Sequence, residues 1–152
     1  MEKYLTLDLN QKKDATFFAE KLFADRQEWR RKRRQKEREL ESVRSLNAVS
    51  QSEVHSGNIS KPTENMAFDA MRIEEDIKRY ENYEYIVEYG LSHITPEDRE
   101  VIETFYFTKG KMLNALVDNL SIKWDCSPRW VYKKKRIAIL NFVEAVREII
   151  NY

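Results

Sequence analysis

Apolar residues along most of this chain recur at helical intervals. From Asp14 to Leu46 there is neither Gly nor Pro. Phe18, Leu22, Trp29, Leu40 and Val43 fall on one stripe of a predicted helix of about 30 residues, interrupted by charge. Its middle, RRKRRQKERELE, is polar almost all round, so it must project into solvent, pair with another helix or lie against an anion. The segment 47–62 collects Ser, Asn, Gly and Pro without periodicity and reads as a flexible linker. Thr63 and Glu64 then open a helix carrying Ala67, Ala70, Ile73, Ile77, Tyr80, Val87 and Leu91, which Gly90 is expected to end.

The next start is well specified. Thr95 is placed as N-cap, Pro96 as first helical residue, and acids follow where the helix dipole favours them. Val101, Ile102, Phe105 and Tyr106 give an apolar face that Gly110 terminates, and Leu113, Leu116, Val117, Leu120 and Trp124 mark a further helix. Asp125 and Cys126 make a turn, Ser127 and Pro128 cap and open the last helix, and Val131, Ala138, Phe142, Ala145 and Ile149 line its inner face. The expected fold is all-α. A long amino-terminal arm (1–46), which pairs as a hairpin with residues 63–89 or in a dimer, precedes the linker (47–62) and a helical domain (63–152).

Composition agrees with helices and narrows the chemistry. Charged residues are 35% of the chain, and there are three Gly, three Pro and one Cys, so no internal disulfide can form. No run approaches the ~20 apolar residues that span a bilayer, and the amino terminus lacks a signal-peptide core, so a cytoplasmic protein without membrane contact is expected. His55 and His93 lack a nucleophile or carboxylate partner, and Glu74, Glu75 and Asp76 diverge around a helix. The glycines stand apart, which excludes a phosphate loop, and Cys126 has no base near it in sequence. Neither an enzyme, a metal nor a cofactor is predicted.

Net charge is only +1, yet the charges are sorted. Arg26 to Glu39 holds eight basic and three acidic residues, Glu64 to Phe105 holds twelve acids and four bases, and Arg129 to Arg136 has no acid. A polyanion responds to local potential, so the two basic stretches outweigh the total.

The carboxyl-terminal stretch carries the functional expectation. A supporting helix, a short turn and a second helix with one buried face meet the requirements of a helix-turn-helix at about 95–152, with recognition helix 128–148 in the major groove of duplex DNA. At about 100° per residue from Val131, Arg129, Lys133 and Arg136 point outward with Trp130 and Tyr132 beside them. Arg129 is the expected base reader, while Lys134 and Lys135 are expected as lateral phosphate clamps and Ser127 as the cap. Trp130 stays open between packing on the supporting helix and contacting DNA. The run Arg30, Arg31, Lys32, Arg33 and Arg34 is a candidate for intersubunit or interhelix packing or, second, for DNA contact.

The sequence LSIKWDCSPRWVYKKKRIAILNF resembles the helix-turn-helix of sigma region 4. With ISKPTENMA, an acidic tyrosine-rich helix and REVIETFYFTKGK before it, the chain from about Asn58 to Tyr152 is similar to phage late-gene transcriptional activators of the RinA and ArpU type. Asp125 departs from the usual turn glycine, and the segment from Phe107 to Leu120 is longer than in a minimal motif. The resemblance implies an activator of packaging, structural or lysis genes that binds promoter DNA in a bacterial host; host RNA polymerase is a further expected partner, and a homodimer is the favoured state. A small terminase subunit recognising DNA for packaging and a helical protein-interaction module are the alternative functions.

Overall fold

The structure, a computed structural model, describes residues 7–53 and 60–150. It is all-α, with no strand among the described residues. Five α-helices follow in order: α1 (Lys12–Glu53), α2 (Ser60–Ser92), α3 (Pro96–Ile102), α4 (Leu113–Lys123) and α5 (Pro128–Ile150), with a π-helical turn, Glu103–Phe107, continuing α3. None is long and apolar enough to cross a membrane.

Three helix boundaries differ from the sequence expectation. Most of the segment expected as a linker is helical, since α1 runs to Glu53 and α2 resumes at Ser60; His55 falls outside the described residues. Gly90 does not end α2, which continues to Ser92. A Cβ built at Gly90 would meet the Phe142 ring and Val146 Cγ1 at 2.6 Å or less, so this glycine is there to let α5 approach, not to stop a helix.

The chain forms two compact units, Met1–Arg26 with Tyr85–Tyr152, and Gln27–Glu84, which do not follow the expected division into 1–46, 47–62 and 63–152. The first turns of α1 explain the difference. Ala15, Phe18, Ala19, Leu22 and Phe23 recur at i, i+3, i+4, i+7 and i+8, and all are buried. Phe23 sits at the centre of an aromatic cluster, with ring centroids 4.7 Å from Phe142, 5.0 Å from Tyr106 and 5.6 Å from Phe107. A cluster of that size fastens the amino-terminal turns to the unit that contains α3, α4 and α5.

In the second unit the remainder of α1 and the early part of α2 form an antiparallel hairpin. Trp29 stacks on Tyr83 at 4.6 Å, and Leu40 and Ile73 are buried. Arg33 binds Glu84, Lys36 lies 3.7 Å from Asp76, and Arg44 lies 2.9 Å from Glu74, so rising α1 numbers meet falling α2 numbers. These pairs set register, while the aromatic and aliphatic contacts supply most of the stability.

In the first unit, α3 starts as its residues dictate. Thr95 Oγ1 accepts from the Asp98 amide at 3.2 Å and Pro96 occupies the first turn. The π turn that follows is wider than an α turn. It lets three consecutive aromatics all find partners: Phe105 packs on the cluster of Val117, Leu120 and Val131, while Tyr106 and Phe107 meet Phe23.

Candidate nucleic-acid interface

The turn between α4 and α5 is built from hydrogen bonds that its sequence can make. The Cys126 amide donates to Ser121 O at 3.0 Å and the Asp125 amide to Ile122 O at 3.3 Å, the paired bonds of a Schellman ending. Asp125 occupies the left-handed position with φ 50°, where glycine is the usual residue and Asp and Asn are tolerated. Ser121 Oγ also donates to Cys126 O, so its small side chain latches the turn. Cys126 is half-buried and packs beside Val117, Leu120 and Val131.

Two residues later α5 begins. The Trp130 amide donates to Ser127 Oγ at 3.3 Å, and Pro128 fills the first helical position where no amide is needed. Val131, Ala138 and Phe142 are fully buried, in agreement with the expected inner face. Ile139, Val143 and Val146, which the sequence reading did not include, widen that face.

The opposite face is open. Arg129, Tyr132, Lys133 and Arg136 are exposed, and Trp130 is 45% exposed. Lys133 Nζ lies 4.6 Å from the centre of the Trp130 ring. Ile137, 46% exposed, completes the stripe of Arg129, Lys133 and Ile137 at four-residue intervals. That spacing was legible in the sequence, but the residue is apolar and was not read as part of a polar face. Tyr132 lies at the edge, its ring 5.8 Å from Phe105.

Lys134 and Lys135, expected as lateral phosphate clamps, also have partners within the chain. Lys134 forms an ion pair with Glu97 and lies 4.6 Å from the Trp124 ring centre. Lys135 Nζ lies 4.9 Å from the centre of the Phe105 ring and 5.4 Å from that of Tyr106, so its ammonium sits over the aromatic turn. Both are half-buried. The cause is α3, whose acids grip the neighbouring helices: Glu97 takes Lys134, Glu100 takes Lys123, and Asp98 accepts from Asn141 Nδ2 at 2.9 Å. Arg99 is held by Glu103 at 2.7 Å and Glu88 at 3.4 Å; the bond to Glu103 leads in raising its pKa further.

The amino-terminal run is also divided. Arg30 lies 3.4 Å from Glu84, Arg33 binds Glu84 and sits 3.6 Å from Glu37, and Lys32 is 2.9 Å from Glu28, which raises its pKa. Arg31 and Arg34 are exposed and make no ion pair among the described residues. Of the acids Glu74 to Asp76, Glu74 receives Arg44 and Asp76 receives Lys36 of their own chain.

His93 is surface polar, its Nδ1 2.8 Å from Tyr89 O. No group of three or more His, Cys, Asp or Glu that could hold a metal ion forms among the described residues. Compared with protein-family models, with curated proteins and with solved structures, the chain matches none.

Proposed function

We propose that α4, the turn and α5 act as a helix-turn-helix, and that the chain is a sequence-specific DNA-binding regulator of transcription. The supporting observation is the sorting of α5 into two faces: one buried through Val131, Ala138 and Phe142, the other presenting Arg129, Trp130, Lys133 and Arg136 to solvent. A recognition helix needs this division, because the groove admits a helix only if its reading side is free and its back is held.

Arg129 stands in the first turn, where recognition helices meet base edges, and its planar fork matches the acceptor pair of guanine. Lys133 and Arg136 follow one and two turns later and reach bases or phosphates. Trp130, amphipathic and exposed, gives an apolar surface for sugar or thymine methyl contact beside the cation that covers it. Within this reading the chain switches on phage late genes, as its likeness to that activator type implies, with promoter DNA and host RNA polymerase as partners and a homodimer as the favoured state.

Footprinting and binding measurements on promoter-region DNA test it. Arg129→Ala is expected to cost about 1–3 kcal/mol and to relax preference at one base pair. A symmetric dimer gives related half-sites about 34–36 Å apart or a multiple of that. Equal affinity for promoter and random duplex at physiological salt, unchanged by Arg129→Ala, overturns the assignment.

A further inference from the structure

We infer that the outward face of α1, carrying Gln27, Arg31, Arg34 and Arg38, is a docking surface for the phosphate backbone of duplex nucleic acid. It is additional to the α5 face and does not depend on it.

The basic run looks like one feature in the sequence, and the hairpin separates it into two. One face of α1 is matched by acids: Arg30 and Arg33 meet Glu84, Lys36 meets Asp76, and Arg44 meets Glu74. Near the opposite side of the helix, at i, i+4, i+7 and i+11, stand Gln27, Arg31, Arg34 and Arg38, all exposed. None of these three arginines makes an ion pair among the described residues; Arg38 Nε donates to Arg34 O at 3.3 Å, which leaves its terminal amino groups available. Neighbouring acids on their own helix are engaged elsewhere, Glu28 with Lys32 and Glu37 with Arg33. Glu41, one turn beyond Arg38, is the acid that borders the stripe.

The chemistry of the face selects the partner. A protein interface needs a desolvated apolar or aromatic anchor at its centre. Between Ala24 and Ser45 every larger apolar side chain of α1, namely Trp29, Leu40 and Val43, is turned away from this face, and Trp29 and Leu40 are buried. What remains is a row of guanidinium forks and an amide, the groups that bind phosphate oxygens without reading sequence. Arg31 to Arg38 rises about 10 Å along the helix, a length over which duplex DNA carries roughly six phosphate charges. The pairing of α1 with α2 holds the row in place, so little order has to be imposed on binding.

The salt dependence of full-length protein binding to random-sequence duplex DNA tests the inference. Arg31→Gln/Arg34→Gln/Arg38→Gln is expected to flatten the slope of log K against log salt by about two to three. Arg31→Lys/Arg34→Lys/Arg38→Lys keeps the charge and is expected to keep most of the slope, while Glu41→Lys is expected to steepen it by about one. Far-UV circular dichroism establishes that each variant is folded; if the triple Gln variant is not, the Glu41→Lys arm decides. An unchanged slope in the folded triple Gln variant, or in Glu41→Lys, overturns the inference, including the case where the face serves an acidic protein instead. If Arg129→Ala leaves sequence preference intact while the triple Gln variant loses slope, the α5 reading fails and this one stands. Unaltered slope in the triple variant with relaxed preference in Arg129→Ala gives the converse.

Discussion

Gly90 in α2 lies directly against the ring of Phe142 in α5, so closely that a Cβ added to Gly90 would stand 2.6 Å from Phe142 Cδ2 and from Val146 Cγ1. Phe142 and Val146 are fully buried and have nowhere to retreat. Gly90→Ala gains about 1 kcal/mol of helix propensity, but overpacking a filled core costs about 1–3 kcal/mol. A net loss is expected, read as a lower urea midpoint with unchanged m-value, and Gly90→Val is expected to lose more.

Asp125 closes α4 at φ 50°, a conformation that costs most L-residues about 1–2 kcal/mol. Asp125→Gly removes that strain and adds unfolded-state entropy of about 0.4–1 kcal/mol, so stability is expected to stay equal or rise slightly. Asp125→Val is expected to destabilise by about 1–2 kcal/mol, since a β-branched residue is the least suited to left-handed backbone. Thermal unfolding of the two variants orders them; a Val variant as stable as the Gly variant contradicts the described turn.

Glu97 masks Lys134. If α5 lies on DNA, Lys133→Ala is expected to flatten the salt slope by about 0.9, and Lys134→Ala by less, because Glu97 already neutralises that ammonium. Glu97→Gln frees Lys134 and is expected to tighten duplex binding and steepen the slope. Titrations at several salt concentrations check all three, and equal effects of Lys133→Ala and Lys134→Ala are the contrary result.

Tyr106 donates to Glu20 Oε1 at 2.8 Å, and burial, then that bond and the charge of Glu20, push its phenol well above the ordinary tyrosine range. The folded state therefore holds the proton more tightly than the unfolded chain. Its contribution is fully present below the unfolded value of about 10 and is lost as pH rises from there towards the folded value. Tyr106→Phe is expected to cost about 0.5–1.5 kcal/mol near neutral pH. The difference from wild type is expected to shrink in urea titrations above about pH 10, and a constant difference argues against it.

The helices themselves were legible, and so were several ends. Thr95, Pro96, Ser127 and Pro128 act within a few residues of themselves, so a local reading finds them. The two faces of α5 were legible for the same reason, since a helix turns by a constant angle and Val131 fixes which side is inward. A helix-stopping glycine and a glycine under a facing ring are identical in sequence, so the place of Gly90 inside α2 is not legible there. The partners of Lys134 and Lys135 were not legible because Glu97 and the Phe105 turn reach them from 37 and 30 residues away along the chain.

Periodicity and capping residues determined by themselves that this chain is helical, where α3 and α5 begin, and which side of α5 is basic. Tertiary structure alone decided that α1 contributes to two units, its early turns fastened by the aromatic cluster around Phe23 and its later turns by Trp29 on Tyr83. It also decided which arginines of RRKRR meet acids and which stay outward. The reason is physical: helical phase is set by neighbours one turn away, whereas the partner of each face is set by residues whose distance along the chain carries no local signal.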